Sequence, residues 1–204
     1  MKKIIIAILS ICILGFTLSG CLNKPDEPFH KNTIAPKELS QEQQDIVNLI
    51  AAGDNEVLLF DYNTEDGFKN VEFWVEVYKK GELVERPAGV SYSIDEAAPR
   101  NGQLAVLITK NSDYVFEWAF KANEDGAVIS HAGESSAIAD NTLGRGYGPI
   151  SAPVPIGNSV ETVLYSSFFM HNEARSYSDL QQYVHEPELL KEYPYVHLIK
   201  CKFE

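Results

Sequence analysis

The apolar residues of this chain fall into two regimes. From Val57 to Met170 they recur at every second position, the period of a strand with one buried face, and turn residues separate the runs. Val71, Phe73, Val75 and Val77 alternate with Glu72, Trp74, Glu76 and Tyr78, and Lys80-Gly81 offers a hairpin turn into Leu83 and Val84. Leu104 to Ile108 is an unbroken apolar run, which predicts a central strand covered on both faces. After the turn at Asn111-Ser112-Asp113, Tyr114, Phe116, Trp118 and Phe120 predict a strand with a row of rings on one side. Asn123 to Gly126 is a further turn, leading to a strand near Ala127–Ser130, and another strand is predicted over Val160–Phe169.

Helical signals sit only toward the ends. Ser40 with Gln43 has the form of a capping box, and Ile46, Val47, Leu49 and Ile50 give the following helix an apolar stripe that ends at Gly53. Ser178 with Gln181 is a second candidate, with Leu180, Tyr183 and Val184 on one side, before Pro187 interrupts it and starts another turn through Tyr193. A last strand, Tyr195–Phe203, closes the chain. Many strands with helices only at the ends predict a mainly β fold: an antiparallel, β-sandwich-like domain with short peripheral α-helices.

The first 21 residues obey neither regime. Lys2 and Lys3 precede an apolar run from Ile4 through Phe16, and small residues follow up to Cys21, the plan of an export signal and too short a run for a comfortable bilayer span. Leu18-Ser19-Gly20-Cys21 resembles the lipobox of bacterial lipoproteins, with a branched aliphatic residue, two small residues and a cysteine. That resemblance covers the leader alone. It implies lipid on the Cys21 thiol, cleavage after Gly20 and an extracytoplasmic protein held at a cell membrane, since two acyl chains anchor stably where one is marginal. The organisation expected is therefore a signal peptide over 1–20, a Pro-containing flexible tether over 21–37 and one globular domain over 38–204.

Composition narrows the partners. With 45% hydrophobic and 23% charged residues the chain has the means to build a core. Its 17 basic residues, two of them in the leader, face 29 acidic ones, a balance that repels phosphate backbones and argues against nucleic acid. Cys12 leaves with the leader and Cys21 is taken by lipid, so Cys201 remains alone; it alternates with Tyr195, His197, Ile199 and Phe203 and is expected to be a buried hydrophobe.

Candidate chemistry is sparse. Asp61, Asn63, Glu65 and Glu72 have oxygens at spacings loosely like a calcium loop, but the glycine is one place late and strands flank it, so a solvated turn is the expected reading and no metal site is assigned. His30, His131, His171, His185 and His197 lack zinc spacing. His131 lies near Glu134, Ser135 and Ser136, and His171 near Glu173, without a catalytic motif around either. No cofactor is implied. Residues 140–157 lack periodicity and contain Gly144-Arg145-Gly146-Tyr147-Gly148, read either as a structural loop over a sheet edge or as a binding loop anchored by Arg145 and Tyr147. Two functions stay open: an envelope lipoprotein binding a small ligand or a partner protein, and a small lipid-anchored hydrolase using carboxylates or His131.

Overall fold

The computed structural model describes residues 32–204 other than 52, 54, 112–113, 125–126, 139, 141 and 172–178. The lipobox, His30, Glu173 and Ser178 lie outside the described residues.

Ten strands form one antiparallel network. In chain order they are β1 (Thr33–Pro36), β2 (Asn55–Lys79), β3 (Glu82–Glu85), β4 (Gly89–Lys110), β5 (Phe116–Glu124), β6 (Ala127–Glu134), β7 (Gly144–Pro149), β8 (Val154–Pro155), β9 (Thr162–Met170) and β10 (Tyr195–Phe203). Helix α1 spans Gln41–Ile50, α2 spans Gln182–His185, and a 3-10 segment covers Pro187–Glu192. Along the main path the order is β6-β5-β4-β2-β10-β9-β7.

The network folds into two layers because β2 and β4 are long enough to serve both. Asn55–Thr64 of β2 pairs with Arg100–Thr109 of β4, the pairing shifts register between Thr64 and Asn70, and Val71–Trp74 then pairs with Gly89–Tyr92. Beyond that break β2 also takes β10 as its other neighbour. Such irregularities bend and twist a ladder, and here the bend turns one half of the sheet over the other. Rings then meet between strands that are not hydrogen-bonded neighbours: Phe116 of β5 lies 5.6 Å from Phe169 of β9, and Trp118 of β5 lies 5.3 Å from His197 of β10. The predicted alternation supplies this core. Val71, Phe73, Val75 and Val77 are 0–3% exposed, as are Phe116, Trp118 and Phe120.

The second layer is covered on its far side as well. Phe168 packs at 5.0 Å from Tyr183 and 4.7 Å from Tyr193, residues of the helical segment that Pro187 interrupts. Trp74 and Glu76, which alternate with the core-facing residues of β2, are buried too. The first layer differs. Leu104, Val106 and Ile108 face the core, but Ala105 and Leu107 are only half-buried, so the unbroken apolar run marks a central strand without a full cover. Among the described elements, α1 stands on that side. Its capping box forms as predicted, with Gln43 N–H donating to Ser40 Oγ and Ser40 N–H to Gln43 Oε1. Yet no residue of α1 is buried, and Leu49 is 78% exposed.

Three local expectations change. Residues 33–36, assigned to the tether, form β1 between β2 and β8, with Thr33, Ile34 and Ala35 buried, so the ordered domain starts before residue 38. Within the stretch expected to be irregular, Gly144–Pro149 is an edge strand on β9 rather than a loop, its glycines tolerated because an edge strand packs few side chains. The Asp61–Glu72 acidic segment is not a turn but part of β2.

Two glycines are required by geometry. Lys80 and Gly81 both have positive φ, 52° and 81°, the two-residue turn that matches the twist of a hairpin. At Gly102 a Cβ would lie 2.0 Å from the Tyr62 ring, so that ring can lie flat on the backbone only where no side chain exists.

Cys201 is free and 1% exposed, on the face of β10 shared with Ile199 and Phe203, and burial pushes its thiol well above the ordinary range. A chain with Cys12 and Cys21 replaced by Ala is expected to show no fast reaction of Cys201 with a thiol reagent until denaturant is added, a thiolate being the reactive form. Rapid stoichiometric labelling of the native protein contradicts the burial.

Candidate functional site

Three clusters of charged and hydroxyl side chains interrupt the apolar packing. The first is built on β7. Alternation along this edge strand puts Arg145 inward and close to β9, where Arg145 pairs with Phe169 in the ladder. Its guanidinium is then held from three directions: Nε donates to Ser167 Oγ at 2.6 Å, Nη2 to Tyr165 Oη at 2.6 Å, and Nη1 forms an ion pair with Glu56 Oε1 at 2.5 Å. Tyr165 Oη in turn donates to Glu56 Oε2 at 2.8 Å. Both charged side chains are mostly sheltered, Arg145 at 17% and Glu56 at 13% exposure, which makes removal of either one costly. The ring of Tyr147 lies 4.4 Å from the guanidinium and that of Phe116 4.8 Å, so the cation is also stacked. Tyr147 itself is 57% exposed. The result is a cation fixed from within, carrying an aromatic ring that faces solvent.

Behind this cluster lies His197. It is wholly buried and ringed by Phe116, Trp118 and Phe169 at 4.9, 5.3 and 5.1 Å, with neither ring nitrogen hydrogen-bonded; Trp118 Nε1 is likewise unpartnered. Burial, reinforced by the nearby Arg145 charge, pushes its pKa down to about 3. A charged imidazolium has no solvation there, so the ring is neutral in the folded state.

The second cluster lies on the outer face of the second layer. Glu76, 2% exposed, accepts from Trp74 Nε1 at 3.0 Å, Tyr78 Oη at 2.5 Å and Arg86 Nη2 at 2.5 Å, and pairs with Lys200 Nζ at 2.7 Å, which also reaches Glu161 at 2.9 Å. Burial alone would raise the Glu76 carboxyl, but the hydrogen bonds from Lys200 and Tyr78 and the Lys200 charge hold it below its ordinary value. The third gathers the Tyr62 and Tyr92 hydroxyls and Arg100 on Glu124. Both carboxylates are engaged by several donors, the pattern of groups that fix a fold.

The residues singled out from the sequence separate in space. Arg145 and Tyr147 come together. His131 is exposed on β6, where its Nδ1 accepts from Gly89 N–H at 3.4 Å. Its sequence neighbours turn elsewhere: Ser135 Oγ accepts from Phe116 N–H, and Ser136 donates to Glu85. His171 approaches Asp140 at 3.9 Å on the surface. Asp61 is held by Lys37 at 2.9 Å and Asp66 accepts from Asn32, so the acidic residues of β2 do not converge. Among the described residues no group of three His, Cys, Asp or Glu side chains lies close enough to hold a metal ion. Glu56, Tyr165 and Ser167, the partners of Arg145, carry no signal in the sequence, lying 20 or more positions from it along the chain.

These features define a mainly antiparallel β domain of sandwich-like layering with three buried or part-buried polar clusters, one of them on the edge strand β7. The YgaN domain family model matches residues 33–203, from the first residue of β1 to the last of β10, and the chain belongs to that family. No curated protein and no solved structure matches it.

The neutral His197 makes stability depend on pH. Its folded pKa of about 3 lies below the value of about 6.5 for an exposed imidazole, so its contribution is complete above that value and is lost as pH falls, since the unfolded chain then binds the proton. Between pH 7 and 5, where carboxylates hardly titrate, denaturant midpoints are expected to record a loss of about 2 kcal/mol. His197→Phe, which keeps a ring in the aromatic cage, is expected to flatten that slope; an unchanged slope assigns the acid sensitivity elsewhere.

Proposed function

We propose that this protein is a lipid-anchored lipoprotein on the extracytoplasmic face of a cell membrane, and that its β domain is a binding module for an envelope protein or small ligand. The anchor rests on Leu18-Ser19-Gly20-Cys21 and the apolar run before it. Among the described residues no helix is long and apolar enough to cross a membrane, so lipid on Cys21 is the attachment we assign.

The observation that carries the binding role is Tyr147: a ring more than half exposed, on an edge strand, stacked on a guanidinium whose nitrogens are already held by Ser167, Tyr165 and Glu56. A tyrosine preset in this way loses little conformational freedom on binding, which is why such rings recur as anchors of interfaces. In this role Arg145 positions Tyr147 rather than meeting the ligand itself. The hydrolase reading through His131 has less support, because Gly89 engages that imidazole and the adjacent serines are bonded elsewhere.

Fractionation tests the anchor. The wild-type chain is expected in the membrane fraction, with mass spectrometry giving a diacylglyceryl group on Cys21, and Cys21→Ala is expected to be soluble and unlipidated. An unmodified wild-type N-terminus removes this reading.

Tyr147→Ala tests the binding face. Loss of the stacking is expected to lower stability by no more than about 1 kcal/mol, whereas affinity for a partner cross-linked from envelope preparations is expected to fall at least about tenfold, or 1.4 kcal/mol. Retained affinity in a folded variant moves the function off this face.

A further inference from the structure

The outer face of the first layer carries a groove that neither Arg145 nor Cys21 explains. Ladder pairing aligns Leu59 of β2, Ala105 of β4 and Lys121 of β5 in one row across the sheet, and Val57, Leu107 and Ala119 in the adjacent row, all with side chains away from the core. Helix α1 stands over the first row, tied by Lys37 N–H to Leu59 O at 2.9 Å and by the Lys37–Asp61 ion pair. Between helix and sheet runs a groove of about 370 Å³, with Ile46 and Val47 on the helical wall and Leu59 and Ala105 on the floor. A shallower depression of about 300 Å³ over Leu107, Ala119 and Ala132 lies beside it on the same face. These volumes are those of small-ligand sites.

The polar groups of the groove decide what fits. Its charged lining is two lysines, Lys37 and Lys121, with no carboxylate among the described residues, in a chain where acidic residues outnumber basic ones 29 to 17. Lys37 is neutralised by Asp61. Lys121 is exposed, and among the described residues no carboxylate pairs with it. An apolar trough with one unmatched cation at its rim is complementary to a molecule with a long apolar body and a single negative end. Small side chains, Ala105 on the floor and Ala119 in the adjoining depression, leave room for a chain to lie flat on the sheet, and Ile46, 52% exposed, forms part of the helical wall.

We propose that this groove binds a long-chain fatty acid, its acyl chain laid between α1 and the outer face of β2, β4 and β5 and its carboxylate paired with Lys121. Occupancy covers Ile46 and Val47, the part of the α1 stripe that lines the groove, whose apolar surface otherwise remains in water at a cost of about 25 cal/mol per Å². The site is independent of the Tyr147 face and of lipid on Cys21, so either reading stands if the other fails.

The test is titration calorimetry with sodium palmitate, below its aggregation concentration, on the full chain carrying Cys21→Ala. Hexadecanol serves as the uncharged twin of the same length. Saturable binding of one palmitate per chain is expected, at least tenfold weaker in Lys121→Glu, with hexadecanol weaker than palmitate and unaffected by that substitution. Ala105→Trp, which fills the floor from the solvent side, is expected to abolish binding of both, with thermal melts reporting whether each variant is folded. Absence of saturable palmitate binding overturns the proposal, as does palmitate binding that folded Lys121→Glu leaves unchanged. Sedimentation giving a dimer that Leu49→Lys dissociates also overturns it, because a second copy then covers the groove.

Discussion

The hydrogen-bond ladder between β2 and β4 is the interaction on which everything else depends. It runs from Asn55–Thr109 to Trp74–Gly89 and survives a change of register between Thr64 and Asn70. Because the same two strands supply backbone partners to both layers, neither layer exists without them. At the break the chain must turn without exposing core rings, and it does so beside Phe68, whose ring meets Phe203 at 5.6 Å. The bend thus lies under a packed aromatic group, and the angle between the layers is set by side-chain contact as much as by backbone pairing.

Bending one sheet over itself creates positions where strand ends bring charge near the core, and the protein answers with full pairing. Glu76 has four donors, and Arg145 meets three acceptors. Among the described residues, exceptions are Trp118 Nε1 and the neighbouring His197, whose nitrogens lack partners among rings. Such a residue lowers stability relative to an apolar isostere unless something is gained, and its neutral state ties the integrity of the core to the pH outside.

Much of the architecture was legible because alternation reports directly on burial. Val71 to Val77, Phe116 to Phe120 and Tyr195 to Phe203 were each readable as strands with a defined inner face, and the Lys80-Gly81 turn and the Ser40 capping box were readable from residue type alone. What escaped has a physical cause in each case. Residues 33–36 contain a proline and follow a polar, proline-bearing stretch, and their strand character comes from docking against β2 and β8, not from propensity. Gly144–Pro149 holds three glycines and a proline, yet pairing with β9 overrides that preference. The burial of Glu76 could not be inferred, because the pairing that fixes it depends on Lys200, more than 100 residues later in the chain. The same distance hides the partners of Arg145: two residues of the candidate site were visible by composition, and the network that fixes them depends on which strands become neighbours.

The position of β10 has a consequence for how the chain acquires its structure. The strand that ends at Phe203 lies between β2 and β9, and Phe203 touches Tyr62, Phe68 and Phe73. Translation therefore delivers the middle of the second layer after both strands that flank it. Until Tyr195–Phe203 emerges, β2 and β9 have no common neighbour, and the aromatic centre lacks the ring that joins its two halves. Contacts spanning nearly the whole chain are slow to close, since the entropy of a long loop is surrendered before any packing is gained. A chain cut before β10 thereby presents unpaired edges on β2 and β9 instead of a smaller stable domain.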